Sequence, residues 1–111
     1  MCGRFSLTSP TEALQKLFGY TERPNLAPRY NIAPTTRISA VRLQEEEKGK
    51  QSPHHFYAHW GLIPSWAKSP EFSARMINAR SETVAEKPAF RTAYKCRRCL
   101  IPANSFFEWQ K

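Results

Sequence analysis

The chain has 111 residues, 41% of them hydrophobic and 13% aromatic, enough for one globular domain at most and too apolar for a disordered polymer. Its longest apolar runs are a few residues, which excludes a helical membrane span, and its polar start, broken at Pro10, is unlike a secretory signal, so a cytoplasmic location (nucleoid-associated in a bacterium) is the default. Seventeen Lys and Arg face nine acids, all Glu, for a net charge of +8, which suggests a polyanionic partner such as nucleic acid or, more simply, a soluble protein of high pI.

Along the chain, Ser9-Pro10-Thr11-Glu12 reads as a helix start, with Ser9 as cap, Pro10 in the first helical position and Glu12 completing a capping box. Leu14, Leu17 and Phe18 fall on one face, and Gly19 is a natural stop. Residues 23–35 hold three prolines and read as an extended loop around Arg29-Tyr30-Asn31. Residues 38–43 are rich in branched side chains and read as a strand, 45–52 as a solvated hairpin loop around Gly49, and 54–60 as the return strand. On that strand His54, His55 and His59 read as surface residues rather than ligands. The stretch WGLIPSWAKSPEF, with two prolines and two tryptophans, reads as a loop in which Trp60 belongs to the core. Residues 81–96 favour one or two helices broken at Pro88, and residues 98–101 and 105–109 read as strands. The pattern is α+β with mostly antiparallel pairing. Because Trp109-Gln110-Lys111 follows directly on a hydrophobic strand, the domain is expected to continue beyond the sequence given.

Cys2, Cys96 and Cys99 do not suggest a disulfide framework. Cys96-x-x-Cys99 has the spacing of half a zinc site, but no second half lies near it, and the pair reads as structural. No metal and no cofactor is implied.

Five stretches stand in order: MCGRF at the start, RYNIAP at 29–34, WGLIPSW at 60–66, INARSET at 77–83 and FFEW at 106–109. Together they resemble the SRAP (SOS response-associated peptidase) family over nearly the whole chain. The expected fold is then α+β, a mostly antiparallel, barrel-like sheet with short flanking helices, here as the N-terminal half of the family domain. The resemblance implies covalent capture of abasic sites in single-stranded DNA through an N-terminal cysteine. Elementary chemistry agrees with the residue type. Removal of Met1 would leave Cys2 with an α-amine and a thiol on one residue. Such an aminothiol condenses with the aldehyde of an opened abasic sugar, first to a Schiff base and then to a five-membered thiazolidine. An α-amine titrating near ~7.7–8.0 and a thiol near ~8.5 both have reactive fractions at neutral pH.

By the same resemblance Asn78 lies beside the Cys2 amine and the sugar, where an amide both donates and accepts without adding charge. Glu108 is the acid–base candidate; partial burial on a strand would raise its pKa and suit it to moving protons. Arg4 and Arg80 are the phosphate-contact candidates. Trp66 would stack on the base beside the lesion; some relatives carry a second aromatic after it, where this chain has Ala67. Asn31 and Pro34 would line the pocket. The family carries a further histidine downstream of Lys111, and none of His54, His55 or His59 occupies that motif. Two other readings use the same residues: an N-terminal-nucleophile cysteine peptidase, and a basic module that binds single-stranded DNA without a covalent bond.

Overall fold

The computed structural model describes residues 2–108. Strand β1 (Arg4–Leu7) lies at the centre of a three-stranded antiparallel sheet of order β2-β1-β5, flanked by β2 (Arg29–Ile32) and β5 (Ser105–Phe107). Strands β3 (Arg37–Glu47) and β4 (Lys50–His59) form a long separate hairpin. The fold is thus α+β and antiparallel. The barrel expectation is corrected: the described strands form two open sheets, and no closed barrel is present among them. No helix among the described residues is long and apolar enough to cross a membrane.

The core forms where these sheets meet helix α1 (Thr11–Phe18). Phe5, Leu7, Leu14, Tyr20, Ile32, Ile38 and Val41 are buried together, with Phe18, Leu26, Ala58 and Trp60 packed against them. Phe5 meets Trp60 edge to face at 5.3 Å between ring centroids, which ties β1 to the end of β4.

Helix α1 ends as its sequence suggests. Gly19 takes a left-handed φ of 81° and its N–H donates to the Gln15 carbonyl at 2.8 Å. The start is different. Pro10 is the cap residue and no side chain caps the helix, because Ser9 and Glu12 are engaged elsewhere. Ser9 Oγ accepts from Asn104 Nδ2 at 2.9 Å, and Glu12 pairs with Arg23 at 3.3 Å. Leu14 is buried, but Leu17 is 74% exposed, so the apolar face is narrower than the spacing implied.

Part of the expected loop at 23–35 is strand β2, held in register by Phe5 opposite Ile32 and Leu7 opposite Arg29. The expected hairpin loop shrinks to the turn between Glu47 and Lys50, and the strands run through charged residues to reach it. Pro53 is tolerated inside β4 because β4 is the hairpin's outer strand and needs no ladder donor there. Residues 81–90 form turns, and only Arg91–Cys96 is helical (α2). Pro70–Arg75, read as loop, forms a 3-10 helix capped by Ser69, whose Oγ accepts from the Glu71 N–H at 3.2 Å. The strand expected at 98–101 reduces to one bridge, Leu100 to Val41. Trp109, the end of the last expected strand, lies outside the described residues, as do Met1, Gln110 and Lys111.

Two of the histidines are structural in ways the alternation of β4 did not suggest. His54 sits between two carboxylates, with Nδ1 on Glu22 at 2.5 Å and Nε2 on Glu46 at 2.8 Å. The hydrogen bond to Glu22 comes first among the causes that raise its pKa, with the charges of both Glu residues adding. Burial pushes the Glu22 carboxyl up, but hydrogen bonds from the His55 N–H and from His54 outweigh it and lower the pKa. His55 is half-buried between Tyr20 and Tyr57, and burial lowers its pKa. The signs follow by linkage. His54 contributes stability in full below the ordinary 6.5, lost as pH rises through its raised folded value. Glu22 contributes above the ordinary 4.5, lost as pH falls through its lowered folded value. His55 opposes His54: its contribution is present above 6.5 and lost as pH falls through its lowered value. Replacing His54 with Gln removes the first of these slopes. As pH rises above about 6.5, the ordinary histidine value, H54Q should therefore lose less stability than the wild type, as thermal melts would show.

Candidate active site

Cys2 stands two residues ahead of the central strand β1, so the sheet fixes where it lies. Its backbone carbonyl accepts a hydrogen bond from Asn78 Nδ2 at 2.8 Å across 76 residues of sequence. Its thiol faces the Arg4 carbonyl at 3.6 Å, a long contact that leaves sulfur loosely held.

Asn78 is delivered by a ladder of bonds to the WGLIPSW segment. The Leu62 N–H donates to the Met76 carbonyl at 3.0 Å, and the Trp60 indole N–H donates to the Ile77 carbonyl at 2.9 Å. Asn78 follows and reaches Cys2. The residues after RYNIAP join the same frame: the Thr35 N–H donates to the Trp60 carbonyl at 2.8 Å, and the Trp60 N–H donates to the Thr36 carbonyl at 3.0 Å. The Trp60 indole thus links WGLIPSW to INARSET, the Asn78 amide links INARSET to MCGRF, and the pairing of β1 links MCGRF to RYNIAP and FFEW.

Cys2 and Asn78 line an open cleft of about 560 Å³, with Phe5, Trp60, His59, Ile77, Cys99 and Phe106 among its walls. Asn78 also lines a second cleft of about 550 Å³, whose walls include Trp66, Arg75, Arg80, Lys87 and Phe90. Asn78 thus stands on the walls of both the apolar cleft at Cys2 and the groove with three cations. Trp66 is 58% exposed and is held by an edge-to-face contact with Phe72 at 5.3 Å, so its ring is braced yet available.

Of the sequence candidates, Cys2 and Asn78 come together, and Trp66 and Arg80 meet in the adjoining groove. Arg4 is exposed at the start of β1, opposite Phe107. Glu108 follows Phe107 directly, which brings it to the same end of the sheet, but it is exposed rather than partly buried and is not a wall of the Cys2 cleft. Glu108 therefore lacks the partial burial expected of it. Asn31 is exposed on β2, and Pro34 is half-buried beyond it; neither lines the two clefts.

Sequence reasoning missed four contributors. Arg75 and Lys87 join Arg80 in the groove, and nothing in their spacing marked them. His59 and Cys99 line the Cys2 cleft. Gly61 lies in the stretch read as a loop, where nothing singled it out. Its φ of 129° and the close approach of Ser73, whose carbonyl oxygen would lie 2.6 Å from an added Cβ, show why no side chain fits there.

The family described as SOS response associated peptidase, SRAP, matches the chain over residues 1–111. The chain belongs to the SRAP family. It is 40% identical to the abasic site processing protein YoaM of Bacillus subtilis over 114 residues, covering 100% of this chain and 48% of that protein. It is 38% identical to YoqW, another abasic site processing protein of Bacillus subtilis, over 114 residues, covering 100% of this chain and 49% of that protein. The abasic site processing protein HMCES of Rattus norvegicus is 32% identical over 130 residues, covering 100% of this chain and 37% of that protein. A solved protein from Bacteroides thetaiotaomicron shares the fold with a TM-score of 0.74 at 24% identity, covering 99% of this chain and 49% of that one. The SRAP chain described here spans about half the length of the two Bacillus relatives.

Within this SRAP frame, the Asn78 amide holds the Cys2 carbonyl across 76 residues of sequence. N78A should leave the fold intact and slow any reaction at Cys2 by on the order of 10²-fold, the scale of a small misplacement of a reacting group. Reaction of Cys2 with a small aldehyde, followed by mass spectrometry, would measure it.

Proposed function

We infer that this chain captures abasic sites in single-stranded DNA, with Cys2 as an N-terminal aminothiol. The observation that carries this reading is the 2.8 Å bond from Asn78 to Cys2, because Asn78 also borders the groove of Trp66, Arg75, Arg80 and Lys87. A strand laid along that groove would have its phosphates beside Arg and Lys and one base against Trp66. The lesion next to it, with no base to fill the space, would enter the Cys2 cleft. The names of the SRAP relatives, abasic site processing proteins, agree with that substrate.

The chemistry balances with the groups of one residue. Met1 is removed, and the freed α-amine of Cys2 adds to the aldehyde. The carbinolamine hydroxyl takes a proton and leaves as water, giving the Schiff base. The thiol then adds across C=N, forming an S–C bond, and nitrogen ends with the proton. One water is released, and no oxidant is needed. Asn78 fixes the Cys2 backbone while this happens, and Glu108 is the acid–base candidate at that end of the sheet.

The test is a denaturing gel after incubation with single-stranded oligonucleotides with and without an abasic site. A retarded band with the abasic strand alone supports the reading. A complex that exists only under native conditions marks a non-covalent binding module, and release of peptide from a model substrate marks a peptidase. Trp66→Ala should weaken native binding of undamaged single strands by ~1–3 kcal/mol, the contribution of one stacked base; titration by fluorescence anisotropy checks it.

A further inference from the structure

His59 has a place in the Cys2 cleft that no motif assigns to it. It ends β4 and lines the same cleft as Cys2 and Asn78. Its Nε2 lies 3.0 Å from Ser73 Oγ, and Ser73 is 1% exposed, so one ring nitrogen is anchored to a buried hydroxyl. Ser73 is itself held close against Gly61, and the Met76 N–H donates to its carbonyl at 2.9 Å. No hydrogen bond to His59 Nδ1 is present among the described residues. Among the described residues, the other ionisable groups on the walls of this cleft are Cys2 and Cys99, and Arg37 lies opposite His59 on β3 with its guanidinium turned onto the Tyr57 ring at 3.8 Å.

We propose that His59 is a proton-transfer residue of this cleft, carrying the Cys2 thiol proton to the Schiff-base nitrogen as the thiazolidine ring closes. The proposal rests on the capture reading above. In that step the S–C bond forms and C=N becomes C–N. The thiol proton passes to the imidazole, and the imidazole returns a proton to nitrogen, so protons and electrons balance without a further reactant. Imidazole suits this exchange because one ring nitrogen can take a proton and give it back. The Ser73 bond supplies orientation: with Nε2 engaged, the same ring face and the same second nitrogen are presented in each encounter.

Single-turnover adduct formation against pH tests it, using a single-stranded abasic oligonucleotide with the wild type, H59Q, S73A, and H59A with and without added imidazole. H59Q should be slower by about tenfold or more near neutral pH and should lose one limb of the wild-type pH–rate profile. Imidazole should restore part of the H59A rate. S73A keeps the ring but frees it, so its rate should fall between the two while the limb remains. Wild-type adduct formation combined with an unchanged rate and profile in H59Q overturns the role of His59 and leaves the capture reading standing. A wild type that forms no adduct removes both. A slow H59Q that binds undamaged strand equally poorly and a slow H59A that imidazole does not rescue mark a structural residue, and that result also overturns the proposal.

Discussion

Cys2→Ala is expected to abolish the denaturation-resistant adduct with abasic DNA while leaving native binding of the same strand within about twofold, the change expected when no phosphate or stacking group is removed. The two effects separate because different residues produce them. The bond-forming thiol and amine both belong to Cys2, whereas the groove that would hold the strand is built from Trp66, Arg75, Arg80 and Lys87. Among the described residues Cys2 lies outside the strand pairs of β1, and its thiol makes a long 3.6 Å contact with the Arg4 carbonyl, so alanine removes chemistry and little structure. A companion variant with leucine inserted after Met1 keeps the thiol but withholds the free aminothiol, since Met1 is not trimmed before a large side chain. It should fail as completely as C2A. If the inserted variant still forms the adduct, sulfur alone is the reagent, and the role of the α-amine is wrong.

Gly61→Ala should be the most damaging single change outside the reacting residue. Two independent costs meet there. A φ of 129° is strained for any L side chain, costing about 1–3 kcal/mol. An added Cβ would also stand 2.6 Å from the Ser73 carbonyl oxygen and 3.2 Å from its carbonyl carbon, backbone atoms that cannot turn aside. Moving them is an overpacking cost of about 1–3 kcal/mol more. The expected loss is therefore on the order of 2–6 kcal/mol in denaturant melts. Because Ser73 holds His59, and Leu62 holds Met76, the shift should also disturb the Cys2 cleft and slow adduct formation. A G61A protein that melts with the wild type would show that the WGLIPSW turn is less tightly packed than described.

The motifs were more legible in the sequence than the strand boundaries. Cys2, Asn78, Trp66 and Arg80 could be named because each belongs to a motif whose chemistry is local to a few residues. Their meeting depends on Trp60, whose indole and backbone stitch three motifs together, and no periodicity encodes that. Helix α1 was readable because Gly19 ends it by its own conformational preference. Its start misled because Ser9 has a better partner in Asn104, which is 95 residues away. Asn104 Oδ1 also accepts from the Thr8 and Ser9 N–H groups at 2.7 and 3.2 Å, a tertiary clamp that outweighs a local capping box. Strand β2 was hidden by its flanking prolines, and only pairing with β1 makes RYNI extended. The reach of β3 and β4 was underestimated because charged residues discourage a strand reading. Here Glu46 is instead drawn into the hairpin by His54. Glu108 shows another difference: partial burial is expected of it on a strand, yet it is exposed, and Phe106 two residues before it is 64% exposed.

The central claim is that Cys2 joins the lesion through both nitrogen and sulfur. It is tested most directly by digesting the purified cross-linked protein and measuring the mass of its N-terminal peptide. The peptide should begin at Cys2, carry the opened sugar with the loss of one water, resist borohydride reduction and leave no thiol for iodoacetamide. A peptide that retains Met1, or one whose thiol still alkylates after capture, would contradict the account.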